Sequence, residues 1–331
     1  MRKEQLFTRS REKSLELLNG AIDLHVHPGP HLLSSPRSTN PIECAQEARD
    51  AGMRALVFMD VMTVSSGTAW LVEQVVDGIR CFGGIILNTA YGSLNPRAVM
   101  NATTYGNGSR FVSFGAHCTY HKAYNEGRYE DGEWILLREK YPKFAADEMP
   151  RKIRIPDEPP CKELKEILEI IHDNPQMYMV SGHVSPREAL RLGELAKEFD
   201  IKKYLISSNT VVQMSDEEIA QAIAMGAYIE REFAPVGQGV TVAKTHYYAE
   251  YEYRSGSKGL VAGGVMKIAD QIRKFGAEHF VCDTDLGVYC ASKPVAGMRE
   301  YIACLMDEGL TDDEIRMVTS INPGRLLDLN D

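Results

Sequence analysis

The chain has 331 residues, of which 44% are hydrophobic and 25% are charged, a composition typical of a globular protein with a large core. Its formal net charge of −9 argues against a nucleic-acid partner, because phosphate binding requires clustered lysine and arginine. The sequence contains no run of 18 apolar residues, so we expect no membrane-spanning helix.

The predicted elements alternate between apolar segments and helical patterns, after an N-terminal helix in residues 1–19. Asn or Ser followed by Pro marks the start of several helices, and "SDEE" at 215–218 predicts a capping box. Most apolar segments are continuous, as in parallel strands that are buried on both faces. The sequence therefore predicts one α/β domain over 1–331, a (β/α)₈ TIM barrel. The eight candidate strands are 21–27, 53–60, 81–88, 110–117, 177–183, 202–209, 227–232 and 279–285.

Two polar, aromatic stretches, 118–160 and 233–256, interrupt this alternation. Both follow strands, so we expect two insertions at the C-terminal face of the barrel, where barrel enzymes place their active sites. Their tyrosines and tryptophan are typical of surfaces buried against a ligand or another chain. We therefore expect a homo-oligomer in which at least one insertion contacts a neighbouring subunit.

The N-terminal segment is polar and lacks the apolar region of a signal peptide. The seven cysteines are scattered and include no CxxC pair, which argues against a disulfide framework or a structural zinc knuckle. We expect a cytoplasmic protein that acts on a small molecule.

Metal-ligand residue types are concentrated at the predicted strand ends. "DLHVH" places His25 and His27 two residues apart, so both imidazoles lie on one face of the first strand. His117 and His183 fall at the ends of the fourth and fifth predicted strands. "VCDTDLG" adds two aspartates to the eighth strand. Imidazoles with one carboxylate suit a divalent ion, zinc first, with manganese or iron as alternatives.

These motifs resemble the amidohydrolase superfamily of metal-dependent hydrolases. The resemblance rests on "DLHVH", the "GH" of the fifth strand, the "TD" of the eighth and the "NPGRLLDL" tail, and it runs over nearly the whole chain. "FGGIILN", "GSLNPRAV", "GAYIE" and "TDLG" are similar to an uncharacterised branch, here without the β-sandwich subdomain. The resemblance implies that His25, His27, His183 and Asp285 hold the metal. It also implies that Asp285, rather than Asp283, is the proton acceptor.

The sequence departs from the superfamily pattern at two strands. "SFGAHC" has no lysine or glutamate at the end of the fourth strand, where binuclear members carry a residue that bridges two metals. "LISSNTV" offers Ser208 or Asn209 where the sixth strand usually ends in histidine. We therefore expect one metal ion per chain, and His117 is the candidate for a second catalytic group, as a ligand or a proton donor.

Further polar residues are candidates for substrate binding or for structural roles. Glu230 and Glu232 stand two apart on the seventh predicted strand, where a salt bridge and a surface position are the plainer interpretations. The loop after the first strand and the first insertion supply the other candidates. The predicted substrate-binding residues are His31, Arg37, His121, Lys122, Asn209 and Glu232.

The predicted function is hydrolysis of a C–N bond in a small molecule, in an amide, a cyclic amide or an aminated ring, by a metal-activated water. Two alternatives stay open. The same scaffold supports metal-dependent decarboxylation without hydrolysis, and the missing sixth-strand histidine allows a degenerate metal-binding protein without turnover.

Overall fold

A computed structural model describes residues 12–157, 159–234 and 262–329. Strands β1 to β10 are, in order, Ile22–Val26, Ala55–Phe58, Arg80–Ile86, Phe111–Ser113, Gly127–Glu130, Glu133–Leu136, Tyr178–Val180, Tyr204–Ile206, Tyr228–Glu232 and Phe280–Asp283. Helices α1 to α15 are 12–18, Pro41–Asp50, Ser66–Glu73, Pro96–Thr104, Tyr120–Asn125, Leu137–Lys140, Pro142–Glu148, Lys162–Asp173, Pro186–Glu198, Ser208–Val211, Asp216–Ala224, Ala262–Phe275, Pro294–Asp307, Asp312–Arg316 and Asn322–Leu326. Short 3₁₀ or π segments are Thr89–Tyr91, Met149–Arg151, Ala277–His279 and Met317–Ile321.

Eight of the strands form one sheet in the order β1-β2-β3-β4-β7-β8-β9-β10, and helices stand between successive strands. The strand order follows the chain order, and a parallel bridge joins Val26 of β1 to Leu286, just after β10. Parallel strands joined in this way by helical crossovers have the connectivity of a (β/α)₈ barrel. The predicted TIM-barrel fold is confirmed. No helix among the described residues is long and apolar enough to cross a membrane.

By their internal contacts, the described residues divide into two compact units. The terminal unit takes its residues from 1–58, 68–82 and 230–331, and the central unit from 59–67 and 83–229. In the terminal unit β1 pairs with β2, and the backbone N–H of Phe233, just after β9, donates to the carbonyl of Asp283 at 3.0 Å. In the central unit β4 pairs with β3 and β7, and β8 pairs with β7 and β9.

Apolar side chains on both faces of the strands form the core, which explains their continuous hydrophobic patterns. Every residue of β1, β2, β4, β7, β8 and β10 is buried. Four predicted capping boxes or caps are confirmed, because the side chain of each capping residue accepts a hydrogen bond from the backbone of its helix. These residues are Asn40, Asn95, Ser185 and Ser215.

Several strands are shorter than their apolar segments predicted, and the fourth and fifth candidates end four and three residues early. Gly115 and Gly182 follow β4 and β7 with φ values of +89° and +67°, and this backbone turn ends each strand. The backbone N–H of His183 donates to the carbonyl of Gly115 at 2.9 Å. His117 and His183 therefore lie in the loops after their strands.

The first predicted insertion has its own secondary structure. It contains α5, the antiparallel β5–β6 hairpin, α6 and α7. The rings of Tyr120 and Tyr124 stack with centroids 5.6 Å apart, while Tyr129 and Trp134 meet edge to face on the hairpin and remain largely exposed. The homo-oligomer that these aromatic side chains suggested stays a prediction. The second insertion, 233–256, lies outside the described residues except for 233 and 234.

We expect Gly182→Ala to lower the free energy of unfolding by more than the strain of alanine at a positive φ alone would. An added Cβ would lie 2.0 Å from the carbonyl oxygen of Gly115, so backbone must move. Gly226→Ala is the matched control, because Gly226 has φ +88° and no atom within 4 Å of its added Cβ. Urea unfolding should give a loss of about 1–2 kcal/mol for the control and a larger loss for Gly182→Ala. Equal losses would contradict this packing argument.

Candidate metal centre

Three metal-ligand side chains of the terminal unit converge at the end of β1. The Nε2 atoms of His25 and His27 lie 3.1 Å apart. Asp285 Oδ1 lies 2.9 Å from His27 Nε2 and 3.6 Å from His25 Nε2. The i, i+2 spacing of the histidines brings both imidazoles to one face, and the segment after β10 brings the carboxylate to them.

The geometry of these three atoms fits a divalent ion. Zinc binds imidazole nitrogen and carboxylate oxygen at about 2.0–2.2 Å, so the ligand atoms of a tetrahedral site stand roughly 3.3 Å apart. The three observed separations scatter around this value. Two imidazoles and a carboxylate are also ligands that zinc, manganese and iron accept.

Backbone hydrogen bonds hold the three ligands in register. The N–H of Asp285 donates to the carbonyl of His25, and the N–H of His27 donates to the carbonyl of Leu286, both at 2.8 Å. Asp285 has φ +52°, a left-handed conformation that aspartate and asparagine tolerate better than most residues. Gly287 packs so closely that an added Cβ would lie 2.0 Å from the carbonyl oxygen of His27.

The other nitrogen of His25 faces two glutamates of β9. His25 Nδ1 lies 3.2 Å from Glu230 Oε1, within hydrogen-bond distance, and 3.3 Å from Glu232 Oε1. Glu230 and Glu232 stand two apart on the strand, so their side chains point to the same face. Both side chains are fully buried. His25 thus stands between the candidate ligand cluster and a buried pair of carboxyl groups.

Two more buried aspartates surround this arrangement. Asp23 accepts hydrogen bonds from the backbone and hydroxyl of Thr284 and from the backbone of His25. Burial raises its pKa to about 6, against the lowering effect of the Thr284 hydrogen bonds. Burial and neighbouring carboxylates also raise the pKa of Glu232 and of Asp283 well above their ordinary values. The buried side of the site therefore favours protonated acids or a compensating cation.

The neighbouring acids strongly change the pKa of His25. Burial alone would lower its pKa, but Glu230, Asp285 and Glu232 raise it to about 10. In the absence of a metal, a proton on His25 supplies positive charge to the cluster at neutral pH. A metal ligand must be an unprotonated imidazole, so an ion and this proton compete for the same nitrogen.

The other predicted catalytic residues belong to the central unit. The rings of His117 and His183 meet edge to face with centroids 5.5 Å apart, and Thr119 donates its hydroxyl hydrogen bond to the carbonyl of His183 at 2.6 Å. His117 Nδ1 lies 3.1 Å from Glu126 Oε1, and this contact lowers the pKa of Glu126. Within the described ranges, neither histidine is in a group of three candidate metal ligands. Their predicted roles stay predictions.

The predicted substrate-binding residues fall in three places. His31 and Arg37 lie in the loop after β1, where Arg37 forms an isolated antiparallel bridge with Val288. In the central unit, His121 Nε2 contacts Gln213 Oε1 at 2.8 Å, and the backbone of Lys122 donates to Thr119. Asn209 lies in α10, and Glu232 in β9 contacts His25. None of these predicted roles is tested by the geometry.

Sequence reasoning missed the contact between Glu230 and His25. The "ERE" pattern on a predicted strand gave the signal that both glutamates share a face. It did not show which face, because Arg231 on the opposite side is also buried, at 4% exposure.

Comparisons with known proteins agree with this architecture. Residues 20–230 match the model of a family of unknown function, DUF6282. The chain belongs to this family. No curated protein matches the sequence significantly.

Solved structures share the fold at low sequence identity. A lactonase, Lmo2620 from Listeria monocytogenes, has a TM-score of 0.54 at 11% identity, and the similarity covers 96% of this chain and 97% of the lactonase. A phosphotriesterase homology protein from Escherichia coli, complexed with phosphate, has a TM-score of 0.53 at 12% identity and covers 93% and 98%. An amidohydrolase from Burkholderia multivorans has a TM-score of 0.51 at 12% identity and covers 94% and 99%. The predicted amidohydrolase-like barrel is confirmed at the level of the fold.

We expect the metal-free DUF6282 protein to lose stability as the pH rises from about 6.5 to about 10. In this window folded His25 keeps a proton that the unfolded chain has lost, so the folded state binds more protons and rising pH favours unfolding. The slope for one such group is at most about 1.4 kcal/mol per pH unit.

Urea unfolding in the presence of a chelator measures this slope at each pH. His25→Gln should reduce the slope over this window by the share of one group, at most about 1.4 kcal/mol per pH unit, because Glu232 and Asp283 also keep protons in the folded state. His279→Gln, at a histidine outside the cluster, should keep the wild-type slope. A wild-type slope retained in His25→Gln would show that another group carries the pH dependence.

Proposed function

We propose that this DUF6282 member is a metal-dependent hydrolase of a small molecule. The single observation that supports the proposal is the convergence of His25 Nε2, His27 Nε2 and Asp285 Oδ1 within 3.6 Å of one another. The cluster stands at the carboxyl ends of the first and last strands of the sheet, where barrel enzymes hold their catalytic groups. The hydrolase names of fold neighbours make this reaction class the first to test.

The chain's own residues supply positioning and proton transfer. A divalent ion bound by the cluster would supply Lewis acidity and make water acidic enough to act as a nucleophile near neutral pH. His25 in β1 and His27, directly after it, would be the imidazole ligands. Asp285 is the natural proton acceptor, because its side chain is 25% exposed while Glu230 and Glu232 are fully buried. After accepting a proton, Asp285 can donate it to the leaving group.

For the substrate we propose a C–N bond, in an amide, a cyclic amide or an aminated ring. Protonation of the departing nitrogen is the step that an acid at Asp285 would assist most, because an amide nitrogen is a poor leaving group without a proton. Lactones and phosphate esters are the competing substrate classes, and decarboxylation without hydrolysis is the competing reaction.

The test begins with protein purified without chelator. Elemental analysis should find one divalent ion per chain, and a panel of amides, lactams, lactones, phosphate esters and carboxylic acids should be assayed in ¹⁸O-labelled water. We expect a product carrying one ¹⁸O from a C–N substrate. Carbon dioxide release without ¹⁸O incorporation would replace hydrolysis with decarboxylation. Metal-loaded protein without turnover on the whole panel would favour a degenerate metal-binding protein.

We expect Asp285→Asn to keep the fold and to lower kcat by a hundredfold or more. Asparagine tolerates φ +52° and keeps an oxygen ligand, but its amide cannot accept the proton. Asp328→Asn is the matched control, because Asp328 is exposed and has φ +55°. Steady-state kinetics on metal-loaded proteins would measure the loss. Wild-type kcat in Asp285→Asn, with inactive Asp283→Asn, would transfer the proton-acceptor role to Asp283.

A further inference from the structure

The two ring nitrogens of His25 contact different groups. Its Nε2 faces the candidate ligands His27 and Asp285, whereas its Nδ1 faces the buried carboxyl groups of Glu230 and Glu232. A neutral imidazole has one N–H and one lone pair, and whichever nitrogen carries the hydrogen leaves the other to bind a metal. The partner of Nδ1 therefore decides whether Nε2 is available.

We propose that Glu230 is a positioning residue that fixes His25 with a hydrogen on Nδ1 and so presents Nε2 to the metal ion. This inference rests on the proposed function, because it assigns Glu230 a role at the same metal centre. The assignment takes Glu230 as ionised, and because an ionised carboxylate only accepts hydrogen bonds, Nδ1 is then the donor at the 3.2 Å contact. The backbone of β1 fixes the other end of the side chain.

Glu230 fits this role better than its neighbour does. Both carboxyl groups lie close to Nδ1: the Glu230 contact at 3.2 Å has hydrogen-bond geometry, and the Glu232 contact at 3.3 Å is an ion pair when His25 is protonated.

A second cation bound by His25, Glu230 and Glu232 is the competing interpretation of the same atoms, which all lie within 4.8 Å of one another. It requires His25 to give up both nitrogens to cations, which a neutral imidazole cannot do. The carboxylate–histidine–metal arrangement requires only the ordinary neutral tautomer and is a common way of orienting metal-binding histidines.

The expected consequence is a change in metal affinity rather than in stoichiometry. A carboxylate behind a metal-binding histidine makes the imidazole a stronger ligand, and its loss typically weakens metal binding about 10–100-fold. Glutamine at position 230 removes the charge and can turn its NH₂ group toward Nδ1, which would favour the tautomer with hydrogen on Nε2. Glu230→Gln should therefore bind one zinc ion with 10–100-fold lower affinity.

The affinity is measured by competition between the protein and a chromogenic zinc chelator at fixed pH. Glu278→Gln is the matched control, because Glu278 is an exposed glutamate near His279 and should leave zinc affinity unchanged. Glu232→Gln tests the neighbouring carboxyl, and its loss should be clearly smaller than that of Glu230→Gln. Equal losses in the two buried variants would overturn the assignment to Glu230, as would unchanged affinity in Glu230→Gln.

A second measurement uses the wild-type chain and so does not depend on how the variants fold. In zinc-loaded protein with ¹⁵N-labelled histidine, NMR should show His25 with hydrogen on Nδ1 and the metal on Nε2. Zinc on Nδ1, or two zinc ions per chain with one lost in Glu230→Gln, would overturn the inference. Failure of wild-type protein to bind any divalent ion would instead remove the proposed function itself, so the two failures are distinguishable.

Discussion

The terminal unit depends on one electrostatic constraint, the burial of several carboxyl groups around a single histidine. Asp23, Glu230, Glu232 and Asp283 are at most 1% exposed, and their negative charges cannot all persist in so little water without compensation. Protons on the acids, a proton on His25 and a divalent ion are the three ways of neutralising the cluster. The buried carboxyl groups thus favour binding of a positive charge at the end of β1.

The surrounding backbone makes this arrangement rigid. Hydrogen bonds from Asp285 to His25 and from His27 to Leu286 join the two chain segments that carry the candidate ligands. Gly287 lies so close to the carbonyl oxygen of His27 that a larger residue there would push the segments apart. The Asp23 carboxyl accepts hydrogen bonds from the backbone N–H and the hydroxyl of Thr284. A site held in this way can bind an ion without the entropy loss that a mobile site would suffer.

The sequence predicted the fold and part of the site for identifiable reasons. Continuous apolar strands separated by capped helices specify a (β/α)₈ barrel. "DLHVH" and "TDLG" supplied three candidate ligand residues, whose side chains the structure brings together. The positions of His117 and His183 were harder to predict from the sequence, because Gly115 and Gly182 have positive φ angles that end the two strands early. Which acid touches His25 could not be read from "ERE", because residues on both faces of β9 are buried.

The burial of these carboxyl groups also separates their chemical tasks. A group that accepts a proton during turnover must exchange it with solvent or substrate, and Asp285, with a quarter of its side chain exposed, meets that requirement. Glu230 and Glu232 are fully buried beside His25, so in the proposed centre they would act on its orientation and charge. One imidazole thus links a solvent-facing carboxylate to buried ones. In the proposed enzyme, the buried carboxyl groups would therefore set the affinity of the centre for a metal, whereas proton transfer would take place at the solvent-facing Asp285.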